Sequence, residues 1–283
     1  MHITVAVQNL QHGGNEDESG ARVDRWPLLA ERLRQVRPDV LILNEARGWD
    51  HGGRRRLAAA QKDLGMLAAP IPPSANNLPT LVLYRPDTMG FWERCNDGLS
   101  TATVHGFTTV SFTIPDADLP PVTFAGCHLS PYSAHQAIIE IELIATRAYR
   151  YGPLVVLGGD LNFPPEAGPD PLYEVMLPFN LASRTVLDVD GVRSPNRQVA
   201  EALRRRGYLD TAWELYQRTR DERLLRRTAN DDRIDRIHIT EPLAPALLSY
   251  DLLDRPDGAS DHHGVVITID TDLIGREGLW TYR

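Results

Sequence analysis

Leu154-Val155-Val156-Leu157-Gly158-Gly159-Asp160-Leu161-Asn162 is the stretch from which the architecture is read. Four apolar residues without alternation are typical of a strand buried on both faces, which needs a layer of structure on either side. Two glycines and an acid close the run. Glycine lets a backbone pass close to another group, so the expected geometry is a strand that ends beside a ligand. A carboxylate directly after four apolar residues also needs a partner, because a buried unpaired charge is very costly. Arginine or a metal ion would serve.

Ahead of this strand, residues 133–150 predict a long helix with Ile138, Ile141, Ile144, Ala145 and Ala148 on its apolar face. The same order occurs earlier. Residues 24–36 predict an amphipathic helix carrying Trp26, Leu29, Leu33 and Val36, Pro38 breaks the chain, and Val40-Leu41-Ile42-Leu43 forms another apolar run. Further strands are expected over 3–8, 78–84, 107–114, 122–125, 234–239, 246–252 and 265–269, with 164–230 mostly helix and loop. Strands in this number with helices between them suit a large layered α/β fold. No repeat, low-complexity tract or linker interrupts the pattern, so one domain is expected over 1–283.

Composition narrows the function classes. The chain has 283 residues, 42% hydrophobic and 24% charged, with a net charge of −8. No window offers the roughly 20 apolar residues a membrane span needs. The first nine residues lack the basic start of a signal peptide. Cys95 and Cys127 are too few for a disulfide scaffold or a thiolate zinc site, so a reduced, cytoplasmic protein is expected. The acidic balance argues against a protein that coats nucleic acid electrostatically. It leaves room for an enzyme whose bound cation screens one phosphate at a time.

Chemistry-bearing residues stand at the ends of the apolar runs. Asn9 ends the first, Asn44-Glu45 the second and His128 the run through Cys127. Asp160 and Asn162 follow the next, Asp235 lies within the 234–239 strand, and Ser260-Asp261-His262-His263 precedes the last. Ligands in α/β proteins gather at strand ends, where distant segments converge. Taken singly, each has a plain structural reading: a turn asparagine, a capping glutamate, a hydrogen-bonded core histidine, an N-cap aspartate. Six in this order are another matter.

That ordered set resembles the endonuclease/exonuclease/phosphatase superfamily. Its pattern is an asparagine after the first strand, a glutamate after the second, then a histidine, G-D-x-N, an aspartate and a terminal S-D-H. The match runs from residue 3 to about 270. The resemblance implies a four-layer α/β sandwich with two packed, mainly antiparallel β-sheets flanked by helices. It also implies divalent-metal-dependent hydrolysis of a phosphoester. Glu45 would anchor Mg²⁺ or Mn²⁺, with Asn9 and Asp261 as ligands or water-mediated partners. His262, oriented by Asp235, would act on the attacking water or a phosphoryl oxygen. Asp160 would activate the nucleophile, and Asn162 and His128 would hold phosphate oxygens. The general base stays open between Asp160 and His262.

Departures bear on the substrate. Asn44 stands where glutamine is common, and Ala46 follows Glu45. His128 stands where abasic-site endonucleases of the superfamily carry tyrosine, and Asn230-Asp231-Asp232-Arg233 replaces an aromatic approach to the late aspartate. The histidine resembles instead the branch of deoxyribonucleases, deadenylases, sphingomyelinases, tyrosyl-DNA phosphodiesterases and inositol phosphatases. The expected partner is a phosphoester substrate, with DNA or RNA preferred over a nucleotide, lipid or other small phosphoester. Arginines at 54–56, 184, 193, 197, 204–206 and 226–227 are candidates for a phosphate groove, though interleaved acids predict that most are solvated. No exposed apolar hairpin is expected. A catalytically silent binding scaffold is the alternative of another class. A transition-metal hydrolase built on His262-His263 lacks the two-histidine helix spacing common in such sites.

Overall fold

Helix α1 (Trp26–Val36) and helix α4 (Ala134–Ala148) do the same job in the two halves of the chain: each carries it from one strand to a parallel neighbour. The computed structural model describes residues 1–17, 19–115, 118–255 and 258–282. Fourteen strands are found among them. These are β1 (His2–Asn9), β2 (Val40–Asn44), β3 (Leu67–Ala68), β4 (Leu81–Tyr84), β5 (Arg94–Asn96), β6 (Thr108–Phe112) and β7 (Val122–His128). The second half contributes β8 (Leu154–Asp160), β9 (Thr185–Leu187), β10 (Arg193–Pro195), β11 (Tyr208–Asp210), β12 (Asp235–Thr240), β13 (Leu247–Leu253) and β14 (Gly264–Asp270). The remaining helices are α2 (Arg55–Leu64), α3 (Pro86–Met89), α5 (Pro178–Arg184), α6 (Gln198–Arg204) and α7 (Thr211–Thr219).

One six-stranded sheet has the order β13-β14-β1-β2-β4-β3, the other β11-β12-β8-β7-β6-β5. In each, a single parallel junction sits at the centre and every other pairing is antiparallel. The alternation of side chains explains why β2 and β8 read as unbroken apolar runs. Ile42 and Val156 face the opposite sheet in a central core with Val7, Phe124 and Ile237. Leu41 and Leu43 face outward, against Leu29 and Leu33 of α1 and Ala60 of α2. Val155 and Leu157 pack against Ile141 and Ile144 of α4 and Leu203 of α6. Three cores separate four layers: helices, sheet, sheet, helices.

The two glycines after Leu157 serve packing. A Cβ on Gly158 would lie 2.7 Å from Val7 Cγ2 of the facing sheet, and one on Gly159, at φ 148°, would lie 1.7 Å from the Cys127 carbonyl. The span 164–230 is also more than helix and loop. It holds β11, an edge of the second sheet, and the antiparallel hairpin β9–β10. Strands of three residues are too short to show a period. On this hairpin Val186, Leu187, Val189 and Val192 are exposed, so the chain does carry an exposed apolar hairpin.

Candidate active site

Register assembles the site. In the second sheet, His128 is directly opposite Asp160, and Asp160 is opposite Asp235, so three strands present one row of functional side chains. In the first sheet Asn9 is opposite Asn44, and Glu45 follows at once. Asn44 stitches the two rows together. Its amide nitrogen donates to the Cys127 carbonyl (2.8 Å) and the Thr80 hydroxyl (3.1 Å), and its oxygen accepts the Asp160 N–H (3.0 Å).

All eight residues singled out from the sequence fall in one connected network. The Asn9 amide donates to Glu45 Oε1 and to Asp160 Oδ2, both at 3.2 Å. Asp160 Oδ1 accepts the Asn162 N–H at 2.9 Å, and Oδ2 lies 3.5 Å from His128 Nε2. Asp235 Oδ2 is 2.7 Å from His262 Nδ1, and His262 Nε2 is 3.7 Å from Asp261 Oδ1. Ligand atoms of Asp160, Asp235 and His262 lie within 4.8 Å of one another. Ser260 fastens the last segment, donating to the Asn9 carbonyl at 2.8 Å and accepting the His262 N–H at 3.1 Å.

The turns behind these residues hold unusual backbone. Gln11, His12 and Glu45 all have φ between 49° and 59°, as does Asn162 at 57°. For residues with a Cβ such conformations cost of order 1–3 kcal/mol each and persist where surrounding contacts impose them. Here the His12 N–H donates to Glu45 Oε2 at 2.8 Å, locking the two turns together.

Burial and charge set the protonation states. Burial opposes a charge on His262, but Asp235, through its field and its hydrogen bond, then Asp160 and Asp261, raise the imidazole well above its ordinary value. Burial likewise opposes ionisation of Asp160, and the field of His128, then those of His262 and Arg184 and the Asn162 N–H, overcome it and lower its pKa. His128 is fully enclosed, and burial brings its pKa down to about 4. At neutral pH the site therefore combines an ionised Asp160, a charged His262 and a neutral His128.

Residues that carried no sequence signal complete the arrangement. His105 stacks on His128 with ring centroids 3.7 Å apart and planes 3° from parallel. The buried Glu140 of α4 accepts both the Ser130 N–H and the Val104 N–H, at 2.8 and 3.0 Å, and so ties down the segments bearing both histidines. Arg184, expected among solvated arginines, is buried and donates to Asn162 Oδ1 at 3.1 Å. At the end of α5 it reads in sequence like any helix-terminal arginine.

Glu45 and Asp261 suit a hard divalent cation. Both are oxygen donors only partly enclosed, and Asp261 Oδ1 is buried without a hydrogen-bond partner. His262 Nδ1, by contrast, is committed to Asp235.

Paired sheets with carboxylates, amides and a carboxylate-bound histidine at their strand ends define a metal-dependent phosphoester hydrolase. Residues 6–262 match the Endonuclease/Exonuclease/phosphatase family, and the chain belongs to that family. Solved structures agree in fold at low identity. A humanized D. rerio TDP2 is 16% identical, with 95% of this chain and 99% of that chain covered and a TM-score of 0.62. D. rerio TDP2 complexed with single-strand DNA product is 14% identical over 95% and 99%, TM-score 0.61. An AP endonuclease from Archaeoglobus fulgidus is 16% identical over 95% and 100%, TM-score 0.62. No curated protein matches the sequence.

Proposed function

We propose that the chain is a nuclease, cleaving phosphodiesters of DNA or RNA with Mg²⁺ or Mn²⁺. The carrying observation is geometric: Asp160, Asp235 and His262 bring ligand atoms within 4.8 Å of one another, with His262 Nδ1 held 2.7 Å from Asp235 Oδ2. That arrangement supports Asp160 as the group that takes the proton of the attacking water. The His262 imidazolium, held by Asp235, is suited to a phosphoryl oxygen as negative charge builds on it. His128 and the Asn162 amide would orient the same phosphate, and Arg184 would hold Asn162 in place. Glu45 and Asp261 would hold the cation, with Asn9 fixing Glu45 against Asp160. Bound there, the ion supplies charge neutralisation of the non-bridging oxygens and makes a water more acidic. The fold neighbour that binds single-strand DNA supports a nucleic-acid substrate. The two free cysteines support a reduced compartment, and we place the enzyme in the cytoplasm.

The test is hydrolysis of bis(p-nitrophenyl) phosphate and of labelled DNA and RNA with Mg²⁺, with Mn²⁺ and with chelator. Divalent-dependent cleavage of a nucleic acid, lost in Asp160→Ala and His262→Ala with the fold intact, is expected. Turnover within tenfold of wild type in either variant would overturn the assignment. A lipid phosphoester is the second reading, favoured by the exposed valines and leucine of the β9–β10 hairpin. Hydrolysis of a vesicle phosphodiester without cleavage of nucleic acid would favour it.

A further inference from the structure

A cavity of about 440 Å³ is lined in part by His263, the residue after His262, and belongs to none of the roles above. Its walls include Arg226, Arg227, Arg233, Arg255, Asn230 and His263. The loop carrying Arg226 and Arg227 is fixed to the reactive centre from two sides. The Thr228 carbonyl accepts the His263 N–H at 2.7 Å, and the Thr228 hydroxyl oxygen accepts the Asp235 N–H at 2.9 Å. Arg255 crosses the same gap, donating to the Asp261 carbonyl and to Asn230 Oδ1 (2.9 Å). The cavity is therefore built as one piece with Asp235 and with the Asp261-His262-His263 segment.

Its charge is unbalanced toward the cationic. Of the arginines on the wall, Arg233 is spent on Asp210 in a two-point pair at 2.9 and 2.7 Å. Arg255 is held by neutral oxygens, and Arg226 and Arg227 are exposed and form no ion pair among the described residues. Among the acids, Asp170 is taken by Arg197 at 2.7 Å, whereas Asp232, which accepts the Arg233 backbone N–H at 2.7 Å, and Glu222 are in no ion pair among the described residues, so three arginines face two acids. Guanidinium groups present forked donors matched to phosphate oxygens. The chain as a whole is acidic, so a local cationic cavity beside the site is not a consequence of composition.

We propose that this cavity is a subsite for a second phosphate of the substrate, held by Arg226, Arg227 and Arg255 while the first phosphate lies at Asp160 and His262. The inference rests on the phosphodiesterase reading and extends it: the substrate carries at least two phosphates. The second phosphate is either the next diester of a polynucleotide strand or a terminal phosphate on a short nucleotide.

The experiment compares wild type with Arg226→Gln/Arg227→Gln on three probes: bis(p-nitrophenyl) phosphate, a 5′-phosphorylated dinucleotide and a 12-nucleotide single strand. Expected is a change below twofold on the one-phosphate probe and a KM raised about tenfold or more on a probe with two phosphates. Loss on the 12-mer alone assigns the flanking diester, and loss on the dinucleotide as well assigns a terminal phosphate. Equal loss on all three probes, or no loss on any, would overturn the subsite. Binding of the labelled 12-mer with Ca²⁺ in place of Mg²⁺ gives a readout without turnover. There the slope of log Kd against log salt should flatten by about 0.7 for each arginine removed. If wild type hydrolyses nothing, the phosphodiesterase reading fails, and the binding slope still decides the cavity.

Discussion

Asp235 and His262 are 27 residues apart in sequence and 2.7 Å apart in the fold, joined through Oδ2 and Nδ1 in a buried pair. The pairing leaves Nε2 as the ring atom available to a substrate, and the Asp235 carboxylate raises the imidazole pKa. A carboxylate on one imidazole nitrogen fixes what the other can do. Much of the expected behaviour of the enzyme follows from this contact.

Asp235→Asn keeps the shape of the partner and removes its charge. The imidazole pKa should fall, and kcat on a phosphodiester should drop by about 100-fold or more, the scale of a lost acid–base contribution. Thermal unfolding should shift far less than the rate does. Activity within threefold of wild type would show that Asp235 does not set the state of His262.

Glu45→Gln can accept the Asn9 amide through its one oxygen, turns its NH2 toward the His12 N–H and removes one anionic oxygen donor. Half-maximal activity should then need about tenfold or more Mg²⁺, with kcat at saturating metal reduced less. Titration of activity against Mg²⁺, after complete inactivation by chelator, measures this. An unchanged midpoint would move the metal away from Glu45.

His105 and His128 make the fold sensitive to acid. Burial holds them at about 3 and about 4, against about 6.5 for exposed imidazole. Between those values the unfolded chain binds protons that the folded chain does not, so stability is full above pH 6.5 and is lost as pH falls toward the folded values. His262 has the opposite sign: its contribution is full below pH 6.5 and is lost as pH rises through its raised value. His105→Phe keeps a ring against His128 and removes one titrating group. Its denaturant midpoint should fall less than that of wild type between pH 7.5 and 5; an equal fall would refute the assignment.

Asp210 pairs with Arg233 and also accepts the N–H groups of Ala212 and Trp213 at the start of α7. Asp210→Ala leaves a buried guanidinium without its partner, which costs about 3–5 kcal/mol, in addition to the lost cap. A loss under 1 kcal/mol by chemical denaturation would mean that water replaces the carboxylate. Because the pair holds Asp210 well below the usual carboxylate range, its contribution is present above the unfolded value and lost as pH falls through the folded one.

Much of the candidate site was legible because its residues end apolar runs. Glu45, His128 and Asp160 each follow such a run, and Asn9 closes β1, so a polar side chain there needs a reason to be held at the edge of a core. His105, Glu140 and Arg184 gave no such signal. His105 lies in a loop, Glu140 sits on a helix where a glutamate is ordinary, and Arg184 ends a short helix. Their importance comes from what they touch.

Apolar runs by themselves called for a layered α/β fold, because a strand buried on both faces requires cover on both; the four layers came with the family resemblance. The order of polar residues at the strand ends determined the family. Register between strands far apart in sequence decided the rest: Asp160 lies between His128 and Asp235 because β7, β8 and β12 align there, and Asn44 joins the sheets at the same level. It also left Val189 in solvent and gathered Arg226, Arg227 and Arg255 around one cavity. Periodicity is a property of neighbours along the chain. Convergence depends on how the sheets pack, and that is settled only when the cores close.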